Sequence, residues 1–365
     1  MHLLHIVGAR PNFMKAAPVM RALGDRARQT LIHTGQHYDR EMSEALFGEL
    51  ALPEPDVNLA VGSDEASVQT GRILIRLDPL FERYRPDVCV VYGDVNSTFA
   101  GALAAAQRQV PVAHVEAGLR SYDRTMPEEL NRELTDRVAE WLFTPSLDAD
   151  ENLVREGIPT TRIHRVGNVM IDTLVRLLPH ADTGAVRQRL GIPARAPYVL
   201  VTLHRPSTVD DPQVFEGILG VLAELAARLP VVFPVHPRSR ARLDEERWNV
   251  SGLRLTAPMN YLDFLALERG AAVVVTDSGG VQEETTWLKV PCLTFRENTE
   301  RPVTVIEGTN TLVGRDPGRL RDALQTALNG EPPMAQRPEL WDGHAAARIA
   351  QVLARTSAVP PQPAG

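Results

Sequence analysis

The chain is poor in cysteine. Of 365 residues only Cys89 and Cys292 carry a thiol, each inside an apolar run read as a buried strand, which argues against a disulfide between them and fits a reducing compartment. A basic block is also missing. The formal net charge is -7, so nucleic acid is not expected as a partner, although an anionic small molecule would need only a local cluster of Arg, Lys and His. No apolar run approaches the length of a membrane span. Met1 to Val7 leads into Gly8-Ala9-Arg10-Pro11 without the apolar stretch or cleavage site of a signal peptide, so the expectation is a cytoplasmic protein with no membrane partner. Neither G-x-G-x-x-G nor G-x-x-x-x-G-K-[ST] occurs, so NAD and ATP sites of those types are unsupported. No short-period repeat is found.

What is present is a soluble globular composition, 44% hydrophobic and 23% charged, on a length that suits two domains. Strand, turn and helix alternate along it, which predicts α/β architecture with parallel sheets. Ala271 to Val275 reads as a buried strand, Thr276-Asp277-Ser278-Gly279-Gly280 as a tight turn, and Val281-Gln282-Glu283-Glu284 as the opening of a helix. Unpaired N–H groups at that terminus, two glycines and the Ser278 hydroxyl suit a phosphate. An ordinary turn in which Asp277 and Ser278 cap the helix explains the same residues equally well.

In the first half, Leu3 to Val7 precedes a turn holding Arg10 and a helix holding Lys15. Leu31 to Thr34 ends near His33 and His37, whose spacing suits a metal only on a helix; Gly35 and the β-branched run argue against one, so no metal is expected there. Ser67 to Tyr84 reads as an amphipathic helix stopped before Pro86. Val88 to Tyr92 ends at Asp94, and Val110 to Val115 ends at Glu116. A helix then begins at Pro127-Glu128-Glu129, and its stripe of Leu130, Leu134, Val138 and Trp141 is expected to bury against the sheet. Asp94, Glu116 and Glu128 thus gather at the carboxyl ends of successive strands, the edge where open α/β sheets bind ligands. Taken singly, Asp94 also reads as a cap and Glu128 as a charge favourable at a helix N-terminus.

Pro179 to Pro197 contains the passage between domains, expected at residues 1–178 and 179–343, with a closing helix about 344–356 returning to the first domain. In the second half, Tyr198 to Leu203 delivers His204 and Arg205, Val231 to Val235 delivers His236, and Asn260 to Arg269 is a helix bearing Tyr261, Phe264 and Leu265. Residues alone therefore point to a nucleotide-diphosphate substrate held by the second domain and altered against acids of the first.

The motifs GARPNFMK (Gly8 to Lys15), GDVNST (Gly93 to Thr98), HVEAGLRS (His114 to Ser121), MPEELNR (Met126 to Arg132), TLHRP (Thr202 to Pro206), TDSGGVQEE (Thr276 to Glu284) and NTERP (Asn298 to Pro302) follow one another in this order. Together they resemble the non-hydrolysing UDP-N-acetylglucosamine 2-epimerases up to about residue 350. The resemblance implies a glycosyltransferase-B fold of two Rossmann-like domains with an interdomain cleft. It further implies a cytoplasmic homodimer needing no redox cofactor or metal, and inversion at C2 of the sugar, by elimination of UDP to a bound 2-acetamidoglucal and re-addition, for bacterial surface polysaccharide.

By the same resemblance Asp94, Glu116 and Glu128 are the catalytic acids and bases, and His204 supports the leaving diphosphate or transfers a proton. Arg10 and Lys15 would hold diphosphate and sugar, Ser278, Gly279 and Gly280 the phosphates, Glu284 the ribose, Phe264 and the main chain near Met259 the uracil, and Arg301 the substrate. Gln36, His37, Arg72, Arg205 and His236 correspond to an activating second UDP-sugar site of some bacterial relatives. Asp39 and Pro206 depart from that subgroup, and Ser207-Thr208 and Val303 depart from the wider family where substrate preference is set. A hydrolysing epimerase, a UDP-sugar glycosyltransferase and a non-catalytic sensor are the alternatives.

Overall fold

A computed structural model describes residues 1–35, 46–243, 250–330 and 335–356. They separate into two compact units, Met1–Thr173 with Glu339–Gly365, and Leu174–Pro338. Gln36, His37 and Asp39 lie outside the described residues.

The first unit contains strands β1 (His2–Val7), β2 (Arg28–His33), β3 (Val57–Asn58), β4 (Val88–Tyr92), β5 (Val112–Val115), β6 (Trp141–Thr144) and β7 (Ile163–Arg165). They form one parallel sheet in the order β3-β2-β1-β4-β5-β6-β7. β1 and β4 are buried along their whole length, which is why they read as unbroken apolar runs: both faces of a parallel sheet are covered. The covering helices are α1 (Arg10–Leu23), α2 (Ala66–Tyr84), α3 (Asn96–Gln107), α4 (Pro127–Val138), α5 (Leu147–Arg155) and α6 (Val169–Leu177). α3 is Ala-rich because it lies almost on the sheet; a Cβ added at Gly101 would come within 2.8 Å of Ile6 Cδ1. His33 belongs to β2 and stacks on Phe13 with ring centroids 5.1 Å apart, a core histidine.

α4 corrects the expected burial. Leu130, Leu134 and Val138 are exposed, Leu130 to 52%, while Glu129, Asn131, Arg132, Thr135 and Asp136 face inward. Trp141 is not on the helix at all but opens β6. The polar face can be buried because its charges find partners: Glu129 accepts from the Ser121 and Tyr122 N–H groups at 3.0 and 2.8 Å, and pairs with Arg132. Burial alone would raise the Glu129 carboxyl, but these donors hold it below the usual range.

The second unit contains β8 (Val199–Thr202), β9 (Val231–Pro234), β10 (Leu253–Thr256), β11 (Val273–Thr276), β12 (Cys292–Thr294) and β13 (Asn310–Leu312), parallel, in the order β10-β9-β8-β11-β12-β13. Its helices include α7 (Thr183–Arg189), α8 (Pro212–Ala226), α9 (Tyr261–Gly270), α10 (Gly279–Leu288) and α11 (Pro317–Asn329). Starts are set locally: the Asp211, Asn260 and Asp316 side chains accept from N–H groups of the first turns of α8, α9 and α11. Phe215, Phe233 and Phe295 fill the core between α8 and the sheet.

A last helix, α12 (Ala345–Thr356), belongs to the first unit and packs on α1. Asp172 caps it, accepting from the Ala345 and Ala346 N–H groups at 3.1 and 2.7 Å. Among the described residues no helix is long and apolar enough to cross a membrane, and Cys89 and Cys292 are buried free thiols. In each sheet the strand order reverses once, between β1 and β4 and between β8 and β11. At such a reversal the flanking connections leave in opposite directions and open a crevice beyond the strand ends.

Candidate active site

Beyond the β1–β4 reversal of the first sheet stand Lys15, Asp94 and Glu116. Lys15, buried on α1, forms an ion pair with Glu116, also buried, just past β5. Gly93 makes room for the pair: its φ is +65°, and a Cβ there would lie 2.8 Å from Lys15 Nζ and 3.1 Å from Glu116 Oε2. Glu116 itself adopts φ +71°. A left-handed glutamate is strained by about 1 kcal/mol, and here the Glu116 and Ala117 N–H groups are both held by the Phe143 carbonyl at 3.0 Å.

Asp94 is half-buried and receives Arg132 Nε at 3.1 Å, while Asn131 Nδ2 donates to its carbonyl at 2.9 Å. It does not cap α3, which starts after Val95 without a side-chain cap. Glu128 lies three and four residues before Asn131 and Arg132, hence on the α4 face that holds Asp94. Arg10 is exposed at the first position of α1. A buried chain that sequence reasoning missed braces this turn. His114 Nε2 donates to the Gly93 carbonyl at 2.7 Å, its Nδ1 lies 2.6 Å from Asp136, and Asp136 meets Arg120, which is clasped by Glu156. Burial would raise Asp136, but His114 and Arg120 keep it low. His114 and Arg120 stood in one motif; Asp136, on a helix face expected to be exposed, carried no signal.

Beyond the β8–β11 reversal of the second sheet stand His204 and the turn Asp277–Gly280. The helix starts earlier than expected, at Gly279, with Ser278 in the cap position but making no side-chain cap bond. Asp277 does not cap it either. Its carboxylate accepts from the His204 and Arg205 N–H groups at 3.0 and 2.9 Å and lies 3.2 Å from His204 Nδ1. The capping explanation of this turn is therefore set aside. Burial would raise Asp277, but the His204 ring and these N–H groups hold it below the usual carboxylate range. The contact turns Nδ1 of His204 toward Asp277 and Nε2 away from it.

Gly279 is required by Arg301, whose Cζ would lie 2.9 Å from an added Cβ. Arg301 is buried between Glu283, 2.7 Å from its Nε, and Glu300, which also receives Arg296 at 2.8 Å. Glu283, Arg296 and Glu300 were not singled out from sequence. Arg205 bonds the Asp277 carbonyl at 2.8 Å. His236 is exposed, with its ring centroid 5.3 Å from that of His204, and its Nδ1 accepts from Arg238 N–H. Arg72 is exposed on α2 and paired with Asp64 at 2.7 Å. Glu284 is buried on α10 and accepts from Tyr261 OH at 2.6 Å; Phe264 on α9 and Met259 before it are half-buried, as are Ser278 and Gly280. Among the described residues no cluster of His, Cys, Asp and Glu is arranged for a metal ion.

Residues 21–354 match a family described as UDP-N-acetylglucosamine 2-epimerase. The chain belongs to this family. It is 42% identical over 341 residues to the UDP-N-acetylglucosamine 2-epimerase of Methanocaldococcus jannaschii, covering 90% of this chain and 93% of that protein. It is 38% identical over 364 residues to a UDP-2,3-diacetamido-2,3-dideoxy-D-glucuronate 2-epimerase of Pseudomonas aeruginosa, covering 97% of this chain and all of that protein, 100%. Among solved structures, the M. jannaschii enzyme in complex with UDP-GlcNAc and UDP superposes with a TM-score of 0.89 at 40% identity, covering 97% of this chain and 100% of that one. The two parallel Rossmann-like sheets are those of the glycosyltransferase-B-type fold of the family.

Proposed function

We propose that the protein interconverts UDP-N-acetylglucosamine and UDP-N-acetylmannosamine without hydrolysis, the second unit holding UDP and the first supplying acids and bases. The observation that carries this is the Lys15–Glu116 pair next to Asp94 at the strand-order reversal of the first sheet, in a chain of this family. No carbonyl adjoins the C2 hydrogen of the sugar, so that proton becomes acidic only as the C1–O bond to the diphosphate lengthens and positive charge builds at C1. A carboxylate at C2 and cations at the diphosphate then assist one transition state. The base takes the C2 proton, the C1–O electron pair leaves with UDP, and a C1–C2 double bond forms. Return of UDP to C1 with protonation of C2 from the opposite face completes the inversion. Two faces require two acid/base groups, and Asp94, Glu116 and Glu128 provide for both.

Ser278, Gly279 and Gly280 bind the phosphates at the uncapped start of α10, His204 faces the diphosphate through Nε2, Glu284 takes the ribose, and Phe264 and Met259 border the uracil. Arg10 reaches the diphosphate, and Arg301, through Glu283 and Glu300, shapes the phosphate turn. Gln36, His37, Arg72, Arg205 and His236 are assigned to recognition of an activating second UDP-sugar. The enzyme acts in the cytoplasm, needs no redox cofactor or metal, and works as a homodimer. Support for the dimer comes from the exposed stripe of Leu130, Leu134 and Val138 on α4 and from Leu147 and Val154 of α5, exposed to 54% and 50%.

The test is incubation with UDP-N-acetylglucosamine in deuterated water. Deuterium at C2 with the UDP linkage intact supports the reading; free UDP with N-acetylmannosamine indicates a hydrolysing enzyme, and UDP release that waits for an added acceptor indicates a glycosyltransferase. A second substrate, the UDP-linked 2,3-diacetamido uronate, merits the same assay because of the 38% identical P. aeruginosa relative; the C2 chemistry is common to both sugars.

A further inference from the structure

Two acidic side chains share one interior space in the second unit. Glu268 is fully buried on α9, and beside it lies Glu284 of α10, also buried. Tyr261 and Glu268 stand seven residues apart on α9, two turns, so they present the same face to α10. The Tyr261 hydroxyl donates to Glu284 at 2.6 Å. Glu268 meets no such hydroxyl: apart from the neighbouring Glu284 carboxyl, neither of its oxygens finds a hydrogen-bond partner among the described residues. Another titratable group facing it is the Cys292 thiol of β12, itself buried and pushed up by burial to about 12.

Two carboxylates cannot both stay ionised in one dry space without a cation, so one holds a proton. Of the pair, Glu284 has the phenol hydroxyl to stabilise its charge, whereas Glu268 has burial, a like charge and the hydrogen bond to Glu284, all of which disfavour its ionised form. The proton therefore resides on Glu268, and the acceptor within its reach is Glu284.

We propose that Glu268 is a positioning residue for nucleoside recognition: as a neutral acid it donates to Glu284 and, with Tyr261, keeps that carboxylate charged and aimed at the two ribose hydroxyls. This rests on the assignment of Glu284 to the ribose. A carboxylate can accept from both hydroxyls of a vicinal diol, and a neutral acid can accept from them less strongly. Without the Glu268 and Tyr261 donors the Glu284 carboxylate would lose support for its charge, and its own protonation would weaken the grip on the diol.

Two measurements decide it. Infrared spectra of the whole protein at pH 8 should contain a protonated-carboxyl C=O band that disappears in Glu268→Gln; a band that persists unchanged in that variant overturns the proposal. Calorimetry with UDP and 2′-deoxy-UDP reads the role. Glu268→Leu should weaken UDP by about tenfold while leaving 2′-deoxy-UDP within about twofold. Glu268→Gln, whose amide still donates, should keep the preference. Equal weakening of both nucleotides in both variants would mean that Glu268 only supports the fold and would overturn the proposal. A wild-type protein that binds both nucleotides alike removes Glu284 from the ribose, and with it the functional role given to Glu268; the infrared band still reports where the proton is.

Discussion

Lys15 of α1 and Glu116, one residue past β5, form a buried ion pair over Gly93, a residue whose missing side chain leaves the space that the pair occupies. The contact joins elements 101 residues apart in the chain. Lys15→Met removes the buried cation from this pair and is expected to destabilise the first unit by about 3–5 kcal/mol. Adding Glu116→Gln should recover much of that loss. Thermal unfolding of the two single variants and the double variant measures the coupling; simple additivity would show that the pair is not held as described.

Asp94 is met by Arg132 at 3.1 Å, a contact an amide can keep. Asp94→Asn is expected to fold, to bind UDP normally and to lose C2 exchange by about 100- to 10,000-fold, the range for an acid/base group. A variant that exchanges deuterium at the wild-type rate would remove Asp94 from the mechanism.

The apolar stripe on α4 faces solvent, so a charge there should leave the isolated chain intact. Leu134→Glu is expected to change stability by less than about 0.5 kcal/mol as a surface substitution while halving the mass seen by light scattering. A dimer that survives Leu134→Glu and Leu130→Glu together moves the interface elsewhere.

Asp172, the cap of α12, is pushed up to about 6 from 3.8: burial raises it, the Ala346 and Ala345 N–H groups oppose this, and Asp342 adds to the rise. A raised carboxyl favours the folded state when protonated. Its contribution is fully present below about pH 3.8 and lost as pH rises through about 6, a change of about 3 kcal/mol. The stability of the wild-type chain minus that of Asp172→Asn should fall by that amount between pH 4 and pH 7 in urea titrations. A difference that stays flat would mean that the carboxyl is not raised.

Much of the candidate site was legible in the chain because strand ends are written locally. Buried parallel strands must be apolar throughout, so the places where Val88–Tyr92 gives way to Gly93-Asp94, and Val273–Thr276 to Asp277-Ser278-Gly279, mark the sheet edge that binds ligands. Glycines at those places are likewise readable as turns. Their particular reasons, Lys15 against Gly93 and Arg301 against Gly279, are not, since the crowding residues come from elsewhere in the chain.

The sequence by itself determined the alternation of strand and helix, the positions of the turns and the residue types gathered at them, all properties of a few neighbouring residues. Only the tertiary structure decided which face of α4 is inside. Periodicity reveals that a helix has two faces; it cannot reveal that Ser121, Tyr122, Arg120 and His114 supply enough donors to bury Glu129 and Asp136 and leave Leu134 in water. The same holds for Asp277, for which a cap is one of two readings open from sequence and which lies under His204. A carboxylate's partner is set by what the folded chain brings within 3 Å, and that is a fact of three dimensions.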